Sequence, residues 1–253
     1  MRNVTNGALG QWADTPAGKL FLDCEAEQIR KQMPETRQSE QLLWLSAFHC
    51  EAPVEALSVC SKLDKIPPNY NAIIAHEYEL PFFDNEFPMV ISSHVHEYTA
   101  EPHRYLRELA RVIEPEGQLI ISGYNLFNIL GVGLRHRLYR RAGSPVYPTH
   151  YLSIHRLKDW LRLLGFELEG GGFFYYLPLT RSPVILDKLR WMESAGNRWW
   201  PRASAGFTLT ARKRLPGMTP LSNRAKLRLW APAPQPALAR VTQAGLTEKH
   251  EHR

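Results

Sequence analysis

The apolar positions between Leu80 and Asn125 change their period twice. Met89 to Ser92 is a short apolar run and is expected to form the middle of a buried strand, with Ser93-His94-Val95-His96-Glu97 as its polar end. From about Pro102, Leu106, Leu109, Ala110 and Ile113 recur at the i, i+3, i+4, i+7 spacing of an amphipathic helix. Pro102 suits its first turn, and Thr99 or Glu101 precedes it as cap. Gly117, two residues after Pro115, is expected to end that helix, and Gln118 to Ser122 reads as the next strand. Strand, helix, strand joined this way is a βαβ unit, which requires a parallel sheet.

The same reading extends along the chain. Residues 17–33 predict a helix with Leu20, Cys24 and Met33 near one stripe, stopped by Pro34. Gln41–Phe48, Ala56–Cys60 and Asn71–Ala75 are expected to be the first three strands, the first of them apolar on both faces as in a parallel sheet. Ser153 is a capping start for a helix over His155–Leu164, with Leu157, Trp160, Leu161 and Leu164 inward and Gly165 beyond its end. Phe166–Pro178 reads as a strand bent at Gly170-Gly171-Gly172. That glycine triplet does not lie between a strand and a helix, so it is not a phosphate loop. Val184–Ser194 predicts a helix and Gly206–Arg212 a last strand. Beyond Pro216 the Pro, Ala and basic residues have too little apolar pattern to fold.

Composition narrows the class. A hydrophobic content of 44% in 253 residues suits one globular domain with extensions. No apolar run is long enough for a membrane-spanning helix, and the start, Met1 to Gly7, lacks the apolar core of a signal peptide. Cys24, Cys50 and Cys60 have no metal-binding spacing and are expected to be reduced thiols of a cytoplasmic protein. The charge is uneven. Residues 1–130 carry ten Lys and Arg against eighteen Asp and Glu, while residues 131–253 carry twenty-one against seven. The basic half allows an anionic partner, RNA or a membrane surface, or is simply a solvated tail.

Leu80-Pro81-Phe82, Asp84 and Phe87, followed by Glu108, Arg111-Val112-Ile113, Pro115 and Gly117, resemble the second half of a class I S-adenosylmethionine-dependent methyltransferase of the type 11 family. Pro88 stands where that family usually has a second aspartate, and Gln118 replaces its second glycine. The resemblance implies an α/β fold: a Rossmann-like, doubly wound, seven-stranded, mostly parallel sheet with an antiparallel last strand. It implies S-adenosyl-L-methionine as cofactor and a domain over residues 40–214. Residues 1–39 would then form an N-terminal helix and lid, with Trp12 either over the cofactor or on the core, and residues 215–253 a disordered basic tail. The alternative use of the fold is binding without catalysis, with RNA or a protein docked on the basic half; in either case a monomer is expected.

In such a sheet ligands bind beyond the carboxyl ends of the strands, where the strand order reverses. The family's glycine-rich turn after the first strand is here Ser46-Ala47-Phe48-His49-Cys50-Glu51, without glycine. Ser46 and Ala47 are its small residues and the expected cofactor contacts, with Ser93 opposite. The second strand lacks a carboxylate at its end, and Asp64 comes several positions late. His76 occupies the position of the family's adenine-binding aspartate, and Glu77 beside it is the alternative acceptor. His94, His96 and Glu97 are expected to end the fourth strand, with both imidazoles on one side of it. A third metal ligand at suitable spacing is absent, so the cluster reads as pocket lining or a general base rather than a metal site. Asn125 follows Gly123-Tyr124 beside the expected transfer site. His94, His96 and Asn125 are the catalytic candidates, and residues 126–151 the candidate acceptor cover.

Overall fold

The computed structural model describes residues 13–34, 41–47, 56–60, 72–125, 152–177, 182–200 and 203–214. Chain contacts divide the protein into units of residues 1–216 and 217–253, and all described residues lie in the first. Seven strands form one sheet in the order β3-β2-β1-β4-β5-β7-β6. They are β1 Leu42–Ser46, β2 Leu57–Cys60, β3 Ala72–Ile74, β4 Phe87–Ser93, β5 Ile113–Tyr124, β6 Phe166–Phe174 and β7 Gly206–Lys213. Strands β1 to β5 pair in parallel, and β7 runs antiparallel between β5 and β6. The order reverses between β1 and β4, which places the switch point there.

Helix α1, Pro16–Gln32, lies on one face of the sheet. Thr15 caps it by accepting the Gly18 N–H at 3.1 Å, and Met33, before Pro34, leaves it in extended conformation. Its inward stripe is Ala17, Phe21, Glu25 and Ile29, at the i, i+4 spacing. Leu20 and Cys24 pack only partly against the core, one position off that stripe, whereas Met33 is buried with Ile29 against Leu42, Trp44, Met89, Ile91 and Ile120. The alternate residues of the same strands, among them Leu43, Leu45, Val90, Leu119 and Ile121, meet Tyr105, Leu106, Leu109 and Val112 of helix α3, Pro102–Val112, on the other face.

Helix α3 ends at Val112, not at Gly117: Ile113 is already extended and paired with Phe87. Four residues then bulge out before Gln118 pairs with Met89. Glu116 has φ +63°, and a Cβ on Gly117 would come within 2.7 Å of Ile113 Cγ2 and 2.8 Å of Glu114 O. The glycine therefore lets the bulge fold back on itself rather than capping the helix. The motif residues before β4 and β5 are joined by hydrogen bonds. Arg111 donates to Glu108, to Asp84 Oδ1 at 2.7 Å and to the Phe82 and Leu80 carbonyls, while Glu108 Oε1 accepts the Leu80 N–H at 2.8 Å. Burial alone would raise the Glu108 carboxyl, but Arg111 and that N–H hold it below its ordinary value.

Helix α4, Ile154–Leu163, begins as expected, with Ser153 Oγ accepting the Arg156 N–H at 3.2 Å. Leu157 and Leu161 are buried, and Trp160 and Leu164 are partly packed. The register of β6 shifts between Leu168 and Gly170, which is the expected bend. A Cβ on Gly171 would lie 2.5 Å from Thr208 O, and one on Gly172 would collide with Gln28 of α1. The triplet's bare backbone thus lets α1 sit close against β6 and β7, where Gln32 bonds Thr208 and Thr210. The single helix expected over Val184–Ser194 is two: α5, Pro183–Lys188, and α6, Trp191–Trp199, parted at Leu189-Arg190. No described helix is long and apolar enough to cross a membrane.

Candidate functional site

The carboxyl ends of the central strands carry a row of hydroxyl side chains. Ser46 of β1 is in register with Ser93 of β4, Ser93 with Ser122 of β5, and Ser122 with Thr208 of β7. The Ala47 N–H donates to the Ser93 carbonyl at 3.0 Å, which ties the start of the post-β1 turn to β4. Phe48-His49-Cys50-Glu51, the rest of that turn, lies outside the described residues.

The row is completed by a group from the other end of the chain. Glu25 of α1, 2% exposed, accepts from Ser93 Oγ at 2.8 Å and from Ser122 Oγ. Its Oε1 is also 3.8 Å from His94 Nε2, and His94 Nδ1 lies 2.6 Å from Glu97 Oε2. One imidazole thus stands between two carboxylates, all three groups buried. The second Glu97 oxygen accepts the Tyr124 N–H at 2.7 Å, which pins β5 to the same cluster. The His94 ring packs against Phe21 and Tyr124, with centroids 5.6 and 4.4 Å away.

The two histidines do not end β4 as alternate strand residues. The strand stops at Ser93, His94 takes a left-handed conformation at φ +59°, and Val95–Tyr98 forms helix α2, a single turn. That turn brings Glu97 back to His94, an i, i+3 pair. A left-handed non-glycine residue costs about 1 kcal/mol, and the bonds of the His94 ring and backbone offset it. His96 is fully buried, and neither ring nitrogen has a hydrogen-bond partner among the described residues. Burial pulls its imidazole down to about 4, the Glu97 charge opposing. The ring lies against Gly123, where a Cβ would come within 3.0 Å of Cε1.

The other expected contacts are distributed differently. Asn125 is turned toward β7, its Nδ2 donating to Ser204 Oγ at 3.2 Å and its N–H to the Ala205 carbonyl at 2.9 Å. His76 is exposed in a tight turn, paired with Glu79 and with its ring on Tyr78. Glu77 is buried, and its charge is felt by Tyr105 of α3, whose phenol burial raises most and a Ser92 hydrogen bond lowers. No group of three or more His, Cys, Asp or Glu among the described residues could hold a metal ion. Trp12, Asp64 and residues 126–151 lie outside the described residues.

Glu25 was not legible as a site residue. Its signal was a carboxylate at the fourth position after Phe21 and the fourth before Ile29, inside an apolar stripe, where a charge needs partners.

Residues 37–121 match the family model described as a methyltransferase domain, type 11. The match covers residues 37–121 of the 253 and is a likeness to that family. The family's cofactor is S-adenosylmethionine. The uncharacterized protein YafS of Escherichia coli is 29% identical over 171 residues, 67% of this chain and 70% of YafS. Among solved structures, a Thermotoga maritima protein described as an S-adenosylmethionine-dependent methyltransferase, possible histamine N-methyltransferase, has TM-score 0.57 at 14% identity, over 81% of this chain and 94% of that one. A Mesorhizobium loti S-adenosylmethionine-dependent methyltransferase has TM-score 0.51 at 14% identity, over 76% and 99%. At this identity the likeness is one of fold.

The residues of the methyltransferase domain fit such a cofactor chemically. Ser46 and Ala47 keep side chains small at the switch point, while the Ser93 hydroxyl is engaged by Glu25. Glu77 supplies carboxylate oxygens, suited to ribose hydroxyls or an adenine amino group, and makes no hydrogen bond to a described residue.

Proposed function

We propose that this protein transfers a methyl group from S-adenosylmethionine to an acceptor held at the carboxyl edge of β1, β4 and β5. The observation that carries the reading is the in-register pair Ser46 and Ser93 at the β1/β4 reversal, inside the segment that matches the methyltransferase model. When bound, the cofactor supplies an electrophilic methyl on a positively charged sulfur. In this reading Ser46, Ala47 and Ser93 flank its methionine portion, and Glu77 with His76 accepts from its nucleoside.

Methyl displacement needs alignment and exclusion of water more than acid or base chemistry. The cluster Glu25, His94 and Glu97 supports that role: it locks α1, β4 and β5 together and keeps the sheet edge dry. An acceptor O–H or N–H loses its proton as the new bond to the methyl carbon forms. Burial disfavours the charged form of the His96 imidazole, so that ring lines the site and the proton leaves to water. Asn125, bonded to Ser204, serves to hold the β5 end rather than to touch the acceptor.

The test is incorporation of radiolabelled methyl from S-adenosylmethionine into small-molecule, RNA and protein fractions of cells. Label in one fraction, lost in Ser46→Trp, is the expected result. Unlabelled fractions throughout, with cofactor binding established separately, would overturn catalysis.

A further inference from the structure

Helices α5 and α6 turn an unusual face outward. Their inward side is fixed by four contacts. Leu186 is buried, Leu189 packs on the core, and Glu193 accepts the Tyr175 and Tyr176 N–H groups at 2.7 and 2.8 Å. A Cβ on Gly196 would collide with the Tyr176 ring, so α6 lies directly on that tyrosine. On α5 Val184, Ile185 and Lys188 are exposed, and on α6 Trp191, Arg198 and Trp199. Trp200 follows at the helix end. Val184 is 60% exposed, Ile185 46%, Trp191 59%, Trp199 68% and Trp200 55%.

Five large apolar side chains on one short segment are more than scattered exposure explains. The charges among them favour one occupant. Lys188, Arg190 and Arg198 are exposed, and Asp187 is the one exposed carboxylate of the described segment, since Glu193 is turned inward. The Arg198 guanidinium lies 5.8 Å from the Trp199 ring centre. A second copy set face to face would oppose like charges. Val184 and Ile185 offer a nucleobase no stacking surface. Tryptophan rings with an apolar body and an N–H, flanked by long basic side chains, suit the boundary between acyl chains and anionic headgroups.

We propose that the outward face of residues 183–200 seats on an anionic lipid surface. Trp191, Trp199 and Trp200 enter the headgroup layer, and Lys188, Arg190 and Arg198 meet lipid phosphates. The contact is peripheral and requires no spanning helix.

The test is flotation of the full chain with vesicles of phosphatidylcholine plus phosphatidylglycerol, and with phosphatidylcholine alone. The expected result is salt-sensitive flotation with the anionic vesicles, weakened about tenfold when Trp191, Trp199 and Trp200 are all changed to Ser. If the triple variant fails to fold, Trp199→Ser alone, and Arg190→Glu with Arg198→Glu, give the same direction. Absence of flotation overturns the proposal, as does equal flotation on neutral vesicles or flotation unchanged in the variants, which would assign binding to the basic tail. Tryptophan-dependent binding of a fluorescent RNA without vesicle binding overturns it in favour of nucleic acid. A tryptophan-dependent dimer without vesicle binding overturns it in favour of a second copy.

Discussion

Glu25 is the strongest test of how α1 holds the sheet edge. It is 2% exposed and takes hydrogen bonds from two buried hydroxyls, Ser93 and Ser122. Glu25→Ala leaves both donors without their acceptor and removes one of the two carboxylates facing His94. Each orphaned hydroxyl costs about 1–2 kcal/mol, so the expected loss is about 3 kcal/mol. For a domain of this size that corresponds to a fall in Tm of about 6–12 °C. Glu25→Gln keeps one acceptor oxygen and the side-chain volume and gives up the charge, so about half that loss is expected. Urea unfolding of the full chain, followed by far-UV circular dichroism, measures both, with an unchanged m-value showing that the transition itself is the same. Equal midpoints for wild type and both variants would refute the reasoning. Equal losses for Gln and Ala would mean that the charge, and not acceptance of the hydroxyls, governs the site.

Two further outcomes follow from buried groups and from glycine geometry. The His96 imidazole is pulled down to about 4 from its ordinary 6.5, so the unfolded chain takes a proton first as pH falls. Its contribution is fully present above about pH 6.5 and lost toward about pH 4, roughly 3 kcal/mol in all and about 2 kcal/mol between pH 7 and pH 5. Unfolding of His96→Leu at those two pH values should lack that part of the loss, and parallel pH dependence in the two proteins would exclude it. Gly171→Ala drives a Cβ to 2.5 Å from the Thr208 carbonyl, while a Cβ on Gly170 meets nothing within 4 Å. The first should cost about 2 kcal/mol or more and the second should be neutral or stabilising by about 0.5 kcal/mol, as read from thermal melts.

The parts legible in the sequence were those set by local pattern. Alternating period gave the βαβ unit, the Gly170–Gly172 bend appears as a register shift, and Ser153 caps its helix. What escaped was decided by contacts distant in sequence. Leu20 and Cys24 of the expected α1 stripe give way to Phe21, Glu25 and Ile29, because the hydroxyls of β4 and β5 give Glu25 a buried place. Gly117 followed a helix-ending pattern, but Ile113 left the helix early to pair with Phe87. The left-handed turn at His94 has only a weak propensity signal; it is held by Glu97 three residues on. The break at Leu189-Arg190 fits α5 and α6 onto the β6 end, where Glu193 meets Tyr175 and Tyr176. The motif from Leu80 to Arg111 shapes the turn before β4, with Arg111 and Glu108 bonded to the Leu80 and Phe82 backbone.

Calorimetric titration of the full chain with S-adenosylmethionine tests the central claim most directly. Saturable binding at micromolar ligand, abolished in Ser46→Trp and weakened in Glu77→Gln, is the predicted result. No heat of binding at millimolar ligand, from protein that still unfolds cooperatively, would contradict it.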